Sequence, residues 1–501
     1  MSEEVSWYSE LAPTAASEVA VIVGKFRERG IDIGGMADPA DRDRDVRPGG
    51  VAYMYAQDHF LAREQYLGGV GEIQGAEHFR SASSVRGVLD VLEQHGVTRV
   101  EVTRVIKDIV LVRAVEGERR DALFILDRID EEFGPGIATP DHVLTAANGE
   151  MAPCAASEPQ EAYPPAEPYP APCRGDGGAR VRIFIADTGL LPGAAETFPW
   201  MRHVTGDPDP RLGPDDTILP YAGHGTFVAG VLGCLAPDAE IRVANVFDTA
   251  GSALESDLVP RLNSAFGFGF EILHLTASCT TRNNSQLIAL DTWLELLLGY
   301  KGVVCVAPAG NNHTRRPSFP AASPGVISVG ALASDGHGRA YFSNYGGWVD
   351  VYAPGQNLIN AFAAGSYTCQ VYPYGGETRT FQPYSPEGSQ ECGLAQWSGT
   401  SFSAPIVTGL IAARMARCGE SGREAAAGLL AEARDRTIPG VGPALLPRCD
   451  DDERCERCGA RGFDRGHGHG CGHGHRHGCG HGGGGGGHGH GGRCGCRGEC
   501  G

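Results

Sequence analysis

The chain has 501 residues, of which 42% are hydrophobic and 21% charged, so two or three soluble domains are expected. A formal net charge of −19 argues against nucleic acid and against a membrane surface as partners, because both would repel the chain. The start lacks the pattern of a secretory signal and no 18-residue apolar span occurs, which favours the cytoplasm; sixteen cysteines keep secretion open as the alternative.

The N-terminal third divides into two predicted regions. Residues 1–57 are rich in charge, Gly and Pro, which predicts a short helical piece followed by a flexible segment. Residues 58–147 form a domain in which apolar periodicity predicts strand, helix, strand, strand, helix, strand, the order of the ferredoxin-like α+β fold. The predicted elements are 59–62, 84–95, 98–105, 109–115, 121–133 and 137–145.

A linker separates this domain from the rest of the chain. Residues 148–178 contain seven prolines, which predicts an extended, exposed segment where self-cleavage is easiest. The next domain, residues 179–448, contains the candidate catalytic residues.

Three of these residues lie at the end of a predicted strand or at the start of a predicted helix. An apolar run of buried parallel-strand type ends at Asp187, where α/β proteins place catalytic groups. His224 lies between two glycines at the start of a small-residue helix, which leaves its imidazole accessible. Another apolar run leads to Asn311, whose amide can donate to an oxyanion.

Ser401 lies on a Gly-Thr turn that leads into an apolar helix at 406–417. A helix N-terminus carries unpaired N–H groups and positive partial charge, so this serine can attack a carbonyl while its own N–H holds the oxyanion. A hydroxyl needs a base to become a nucleophile. His224 can be that base, and Asp187 can orient it.

Two cysteines in an insertion before the serine, Cys369 and Cys392, could close a loop by a disulfide.

Four motifs, D-T-G, G-H-G-T, A-G-N and G-T-S-x-S-A-P, contain Asp187, His224, Asn311 and Ser401 in this order. In these motifs the chain resembles the subtilisin-like serine proteases, over about residues 180–446. The resemblance implies an α/β fold with a mostly parallel sheet and flanking helices. It also implies that Ser401 is the nucleophile, His224 the general base and then acid, and Asp187 the group that fixes the histidine tautomer. Asn311 and the Ser401 N–H would form the oxyanion hole, with no cofactor required for catalysis and structural calcium left open.

The same resemblance assigns a substrate strand and an inhibitor. Thr276, Ala277 and Ser278 would pair with the backbone of a protein or peptide substrate, although Ser278 stands where the family commonly has glycine. Residues 58–147 resemble the subtilase propeptide, with 140–145 as the tail laid into the active-site cleft. The implied role is that of folding chaperone and temporary inhibitor, and the alternative is a permanent small domain with another binding role.

The last 53 residues, 449–501, change composition to glycine with eight Cys and eight His, which predicts a disordered tail. Flexible imidazoles and one C-x2-C pair can converge on Zn²⁺, Ni²⁺ or Cu²⁺. The candidate metal ligands are His467, His469, His473, His475, His477, His481, His488, His490, Cys455 and Cys458.

Two other functions compete with the endopeptidase. One is a metal-binding protein that uses the protease fold as a scaffold. The other is a pseudoenzyme that its N-terminal domain holds permanently shut.

Overall fold

An antiparallel sheet organises the N-terminal part of the chain. The structure is a computed structural model that describes residues 7–11, 13–37, 51–68, 74–79, 85–118, 120–146, 157–163, 166–175, 180–209, 217–300, 302–370, 374–385 and 388–447. The N-terminal elements are α1 (Pro13–Glu28), β1 (Ile33–Ala37), β2 (Val51–Arg63), α2 (Val88–Gln94), β3 (Val97–Ile106), β4 (Ile109–Gly117), α3 (Ala122–Phe133) and β5 (Ala138–Ala146). The strands lie in the order β5-β2-β4-β3, all neighbours are antiparallel, and β1 pairs with β2.

The elements from β2 to β5 follow each other in the order that periodicity indicates, and their assignment to the ferredoxin-like class stays a prediction. Helix α1 lies where a short helical piece is expected, whereas the flexible segment expected up to residue 57 is wrong for 33–37 and 51–57, which form β1 and the first half of β2. Helix α1 buries Val19, Ile22 and Phe26 along one face, and burial of such a stripe stabilises a helix of this length. Residues 38–50 lie outside the described residues.

The C-terminal part is built on a parallel sheet. Its elements, after a short strand in the linker, are β6 (Gln160–Glu161), β7 (Arg182–Asp187), α4 (Ala194–Thr197), β8 (Val204–Gly206), α5 (His224–Leu235), β9 (Glu240–Asn245), β10 (Ser252–Leu254), α6 (Glu255–Leu262), α7 (Ser264–Phe268), β11 (Ile272–Leu275), β12 (Ala277–Ser278), α8 (Ile288–Leu298), β13 (Val304–Pro308), β14 (Val326–Leu332), β15 (Val351–Pro354), β16 (Leu358–Ala363), β17 (Gly365–Thr368), β18 (Thr378–Phe381), β19 (Cys392–Trp397), α9 (Thr400–Cys418) and α10 (Gly422–Asp435). Seven strands pair in parallel in the order β15-β14-β13-β11-β7-β9-β8.

Both faces of the parallel sheet are buried, as its apolar strands predict. Along β7, Ile183 and Ile185 face a core formed with α5, α9 and α10, whereas Phe184 and Ala186 face a core formed with α6 and α8. The second core also contains apolar side chains of α1 and β5. The N-terminal sheet therefore rests on α6 and α8, and both parts belong to one compact unit, residues 1–463.

The linker is only partly as predicted, because its second half lies against the parallel-sheet part. Strand β6 pairs with β19, the Tyr169 N–H donates to the Ile359 carbonyl at 2.8 Å, and the Trp397 indole N–H donates to the Ser157 carbonyl. Glu158 is buried and accepts from the Tyr367 hydroxyl at 2.7 Å. From Ser157 onward the described linker residues are thus anchored at several points, although side chains such as Tyr163 are exposed.

The disulfide suggested for Cys369 and Cys392 is not formed. Cys369 follows β17, which pairs with β18, whereas Cys392 begins β19, which pairs with β16, so different strand pairings hold the two thiols. In the part of the chain that the structure describes, no helix is long and apolar enough to cross a membrane.

Candidate active site

Asp187 is the last residue of β7 and is fully buried. Its Oδ1 accepts from the Thr188 N–H at 2.7 Å, and its Oδ2 accepts from the Thr276 hydroxyl at 2.7 Å. Burial by itself would raise the pKa of Asp187, but the charge of His224 and these hydrogen bonds outweigh it and hold the pKa below its usual value. The carboxylate therefore stays ionised in an apolar setting.

His224 is the first residue of α5, and its ring is directed at that carboxylate. Its Nδ1 lies 2.8 Å from Asp187 Oδ1. The turn before it requires Gly223, because φ is 84° there and a Cβ would come within 2.8 Å of the Phe362 ring. A proton held on Nδ1 leaves the Nε2 lone pair as the basic atom, which is the tautomer that a general base needs.

Ser401 is the second residue of α9, where backbone N–H groups lack helical partners. Its Oγ and the His224 Nε2 are both buried, and neither makes a hydrogen bond within the described part of the chain. The imidazole packs against the rings of Trp397 and Phe402, with centroids 5.6 and 5.3 Å away. Buried polar atoms that lack partners are rare, and here two of them belong to the predicted nucleophile and base.

Asn311 lies in the turn that follows β13, beside the first turn of α9. Its Oδ1 accepts from the Thr400 N–H at 2.8 Å and from the Thr400 hydroxyl at 2.9 Å. The Gly310 N–H in turn donates to the Thr400 hydroxyl at 3.0 Å. The Nδ2 group is the donor end of this amide, the end that can bind an oxyanion.

The candidate substrate residues Thr276, Ala277 and Ser278 follow β11, and two of them form β12. Strand β12 pairs antiparallel with β5, with Ala277 opposite Ala146 and Ser278 opposite Thr145. The Thr276 hydroxyl also donates to Asp187, and pairing of these three residues with a substrate stays a prediction. An extended segment of this same chain therefore occupies the strand position expected for a substrate.

Strand β10 covers the other edge of β5, a contact that the sequence did not reveal. Leu144 lies opposite Ala253, and the Ala146 N–H donates to the Gly251 carbonyl at 2.9 Å. Every residue of β5 is buried. The short strands β10 and β12 thus flank a cleft, and the extended segment β5 lies between them.

Two further polar residues near the site were not singled out for it from sequence. His274 is buried in β11, its Nδ1 lies 2.9 Å from the Thr408 hydroxyl of α9, and burial lowers its pKa to about 4. Asp209 is buried beyond β8 and accepts from Thr188 and Gly223, the neighbours of Asp187 and His224. The only sequence signal for either was a polar residue in an otherwise apolar or turn-rich stretch.

The predicted metal ligands of the tail, from Cys455 to His490, lie outside the described residues. Within the ranges that the structure describes, no three His, Cys, Asp or Glu side chains come together to hold a metal ion.

A buried carboxylate, a histidine bound to it and a serine at a helix N-terminus are the parts that nucleophilic serine hydrolases use. Residues 178–470, more than half of the 501 residues, match the model of the Subtilase family, Peptidase_S8. The chain belongs to this family.

Known relatives share part of the chain. A thermophilic serine proteinase of Bacillus sp. (strain AK1) is 32% identical over 203 residues, which are 38% of this chain and 41% of that protein. Subtilisin Savinase of Lederbergia lenta is 28% identical over 209 residues, 39% of this chain and 71% of the other. The match thus spans less than half of the Bacillus proteinase. A solved structure of a cold adapted subtilisin-like serine proteinase is similar with 20% identity and a TM-score of 0.40, over 56% of this chain and 92% of the other.

Proposed function

We propose that the chain is a serine endopeptidase that hydrolyses peptide bonds through an acyl-enzyme. The observation that carries the proposal is the 2.8 Å contact between His224 Nδ1 and Asp187 Oδ1, made in a member of the Subtilase family. The Ser401 Oγ attacks the scissile carbonyl while His224 Nε2 takes the hydroxyl proton. His224 then protonates the leaving amine, and a water activated by the same nitrogen releases the acyl group.

The oxyanion of the tetrahedral intermediate is held by two donors. These are the Asn311 side-chain amide and the Ser401 N–H. The contacts between the Asn311 Oδ1 and Thr400 support this role, because they fix the amide before substrate binds. Donors that are already oriented need no rearrangement as charge develops, which is why they stabilise a transition state more than the ground state.

The substrate is a protein or peptide that enters the cleft in an extended conformation. Strands β10 and β12 bind its backbone, and the chain's own β5 supports this because it pairs with both. The N-terminal part acts as a propeptide-like inhibitor while β5 occupies the cleft. Since the linker is anchored from Ser157 onward, we place the self-cleaved bond between Ala146 and Ser157.

The test is the intact mass of the full chain after treatment with a fluorophosphonate probe, which reacts with an activated serine. Wild type should gain one adduct and lose a fragment cut between Ala146 and Ser157, whereas Ser401→Ala should do neither. The pseudoenzyme alternative predicts another result. In that case the wild-type chain would stay intact after long incubation and would take no adduct even after proteolytic removal of the N-terminal part.

The tail has a second proposed role as a flexible ligand for Zn²⁺, Ni²⁺ or Cu²⁺. Its eight histidines and the pair Cys455 and Cys458 support this by composition alone. Calorimetric titration with each metal should show binding to the full chain and none to a chain that ends at residue 448. Removal of the tail metal should leave Ser401-dependent turnover unchanged. Tight metal binding without any Ser401-dependent turnover would favour the metal-binding alternative.

A further inference from the structure

Asp209 connects the two turns that carry Asp187 and His224. Its Oδ2 accepts from the Thr188 hydroxyl at 3.1 Å and from the Gly223 N–H at 2.8 Å. Thr188 follows Asp187 directly, and Gly223 directly precedes His224. A single carboxylate oxygen therefore ties the residue after the predicted carboxylate to the residue before the predicted base.

The Thr188 hydroxyl extends this connection. It accepts from the Gly225 N–H at 3.1 Å, so the residue on the far side of His224 is bound as well. The backbone around Asp209 is fixed by Leu190, which donates to the Asp207 carbonyl at 2.8 Å and accepts from the Asp209 N–H at 3.0 Å. The bridging carboxylate is thus held in place from both its backbone and its side chain.

The surroundings of Asp209 allow its charge to change near neutral pH. The residue is only 5% exposed, and burial raises its pKa to about 7, with the charge of Asp187 adding to the effect. A cavity of about 10 Å³, lined in part by Thr188, Asn245 and Asp248, adjoins Asp209 and matches the room one water needs. The charged and titratable groups around Asp209 are therefore Asp187, His224, Tyr221 and Asp248.

We propose that Asp209 is a positioning residue: its carboxylate aligns the Asp187 and His224 turns, and its negative charge favours the imidazolium form of His224. This inference rests on the proposed function, in which His224 becomes positively charged during acyl transfer. The charge acts in the same direction as that of Asp187, since a second nearby anion stabilises the protonated ring.

The two parts of the proposal can be separated by substitution. Asp209→Asn keeps an oxygen that can accept from Thr188 and Gly223 but removes the charge. Asp209→Ala removes both. Asp207→Asn is the matched control, because Asp207 lies on the same turn but is half-exposed and ion-paired with Arg242 at 2.6 Å.

The first measurement is an NMR titration of the His224 ring in the full-length Ser401→Ala chain, which needs no catalysis. Asp209→Asn should lower the protonation midpoint of His224 by about half a pH unit to one unit, since the removed charge acts on the ring through space and not through a direct contact. Asp207→Asn should leave that midpoint within about 0.2 units of the parent, because Asp207 is half-exposed and solvent screens its charge. A His224 midpoint that does not move in Asp209→Asn overturns the proposed role of the charge.

The second measurement is the pH profile of kcat/KM in the chain with Ser401 intact. Asp209→Asn should move the acid limb to lower pH by the same amount, while Asp209→Ala should lower kcat about tenfold or more with KM little changed. An Asp209→Ala enzyme with kcat within about threefold of wild type overturns the positioning role. If wild type shows no Ser401-dependent turnover but the midpoint still shifts in the NMR titration, the proposed function fails and the electrostatic role of Asp209 stands.

Discussion

At the scale of single residues, the candidate site combines one carboxylate that has several hydrogen-bond partners with two buried atoms that have none among the described residues. Asp187 receives hydrogen bonds from His224, Thr188 and Thr276, whereas the Ser401 Oγ and the His224 Nε2 have none within the described residues. An unpaired buried polar atom costs about 1–3 kcal/mol of stability. That cost is acceptable where the atom must be available to a substrate, as the nucleophile and base must be.

Asn311 provides the first prediction. Asn311→Ala should lower kcat by about 10²–10³-fold with little change in KM, because an oxyanion donor acts in the transition state and not on bound substrate. Steady-state kinetics on a chromogenic peptide would measure both constants. The matched control is Asn312→Ala, next to it on the same turn, which should stay within about threefold of wild type. A kcat that is equal in both variants would exclude Asn311 from the oxyanion hole.

His274 provides the second prediction, on stability in acid. Burial lowers its native pKa to about 4, whereas an unfolded histidine has a pKa of about 6.5, so the unfolded state takes up the proton first. Stability should therefore be lost as pH falls from about 6.5 to about 4, by up to about 3 kcal/mol. Denaturation of the Ser401→Ala chain should show a smaller loss between pH 7 and pH 4.5 once His274→Asn is added.

The control for this prediction is His337→Asn, because His337 is exposed on a turn. It should leave the acid sensitivity of the parent unchanged. If His274→Asn loses as much stability in acid as the parent does, the buried imidazole is not the group that titrates.

What could be predicted at this scale depends on whether a residue carries a local signal. Asp187, Asn311 and Ser401 each follow a strand end or begin a helix, and the structure places each at such a position. Asp209 carries no such signal, because its partners, Thr188 and Gly223, are distant in sequence and meet it only in the fold. The same holds for the bond between Thr276 and Asp187, whose partners are far apart in the sequence.

At the scale of secondary structure, β5 and α6 join the two halves of the chain. Helix α6 has no side-chain cap of its own. Asp141 of β5 supplies one, accepting from the Ser256 N–H at 3.0 Å and from the Ser256 hydroxyl at 2.5 Å. Asp141 is fully buried and also lies 3.0 Å from His59 Nε2. The cap of a helix in one half therefore belongs to a strand in the other.

Removal of this cap is the third prediction. Asp141→Ala should loosen β5 in the cleft and speed fluorophosphonate labelling of full-length chain about tenfold, because a lost N-cap costs about 1–2 kcal/mol. Labelling would be followed by intact mass over time. Glu131→Gln on α3 is the control, since Glu131 is exposed and its ion pair, 2.6 Å to Arg128, lies within the same helix. Equal labelling rates in the two variants would mean that the Asp141 contact does not hold β5 in place.

The elements that sequence reasoning missed are those that need a distant partner. Strand β10 has only three residues and forms because β5 lies beside it. Strand β1 contains two glycines and is held by β2 across the intervening residues. Periodicity in a short window cannot detect such strands, whereas it did indicate α3, whose apolar stripe spans three turns.

At the scale of the whole molecule, the interface between the two halves contains buried groups of opposite pH sensitivity. Burial would lower the pKa of His59, but hydrogen bonds to Asp141 and Asp58 and their charges raise it to about 9. Burial lowers the pKa of His142 to about 3, aided by the charge of Arg282. The His142 Nε2 accepts from the Arg282 N–H at 3.1 Å, a bond that protonation of this nitrogen would break.

The fourth prediction is that the full-length chain is most stable near pH 6.5. The pKa of His59 is raised on folding, so its contribution is complete below about 6.5 and is lost as pH rises towards 9, by up to about 3 kcal/mol. The pKa of His142 is lowered, so its contribution is complete above about 6.5 and is lost as pH falls. Melting of the Ser401→Ala chain should show falls on both sides of this pH.

The alkaline fall should belong to His59, and the acid fall should be shared by His142 and His274, which makes the prediction specific. His59→Gln should flatten the alkaline side alone, and His142→Asn should flatten part of the acid side alone, where His274 also contributes. If both variants melt with the pH dependence of the parent, the interface is not the source of that dependence. Since β5 fills the cleft as long as the halves remain joined, the same two groups would set how firmly the cleft stays closed at each pH. Probe labelling of the intact chain should therefore be slowest where its melting temperature is highest.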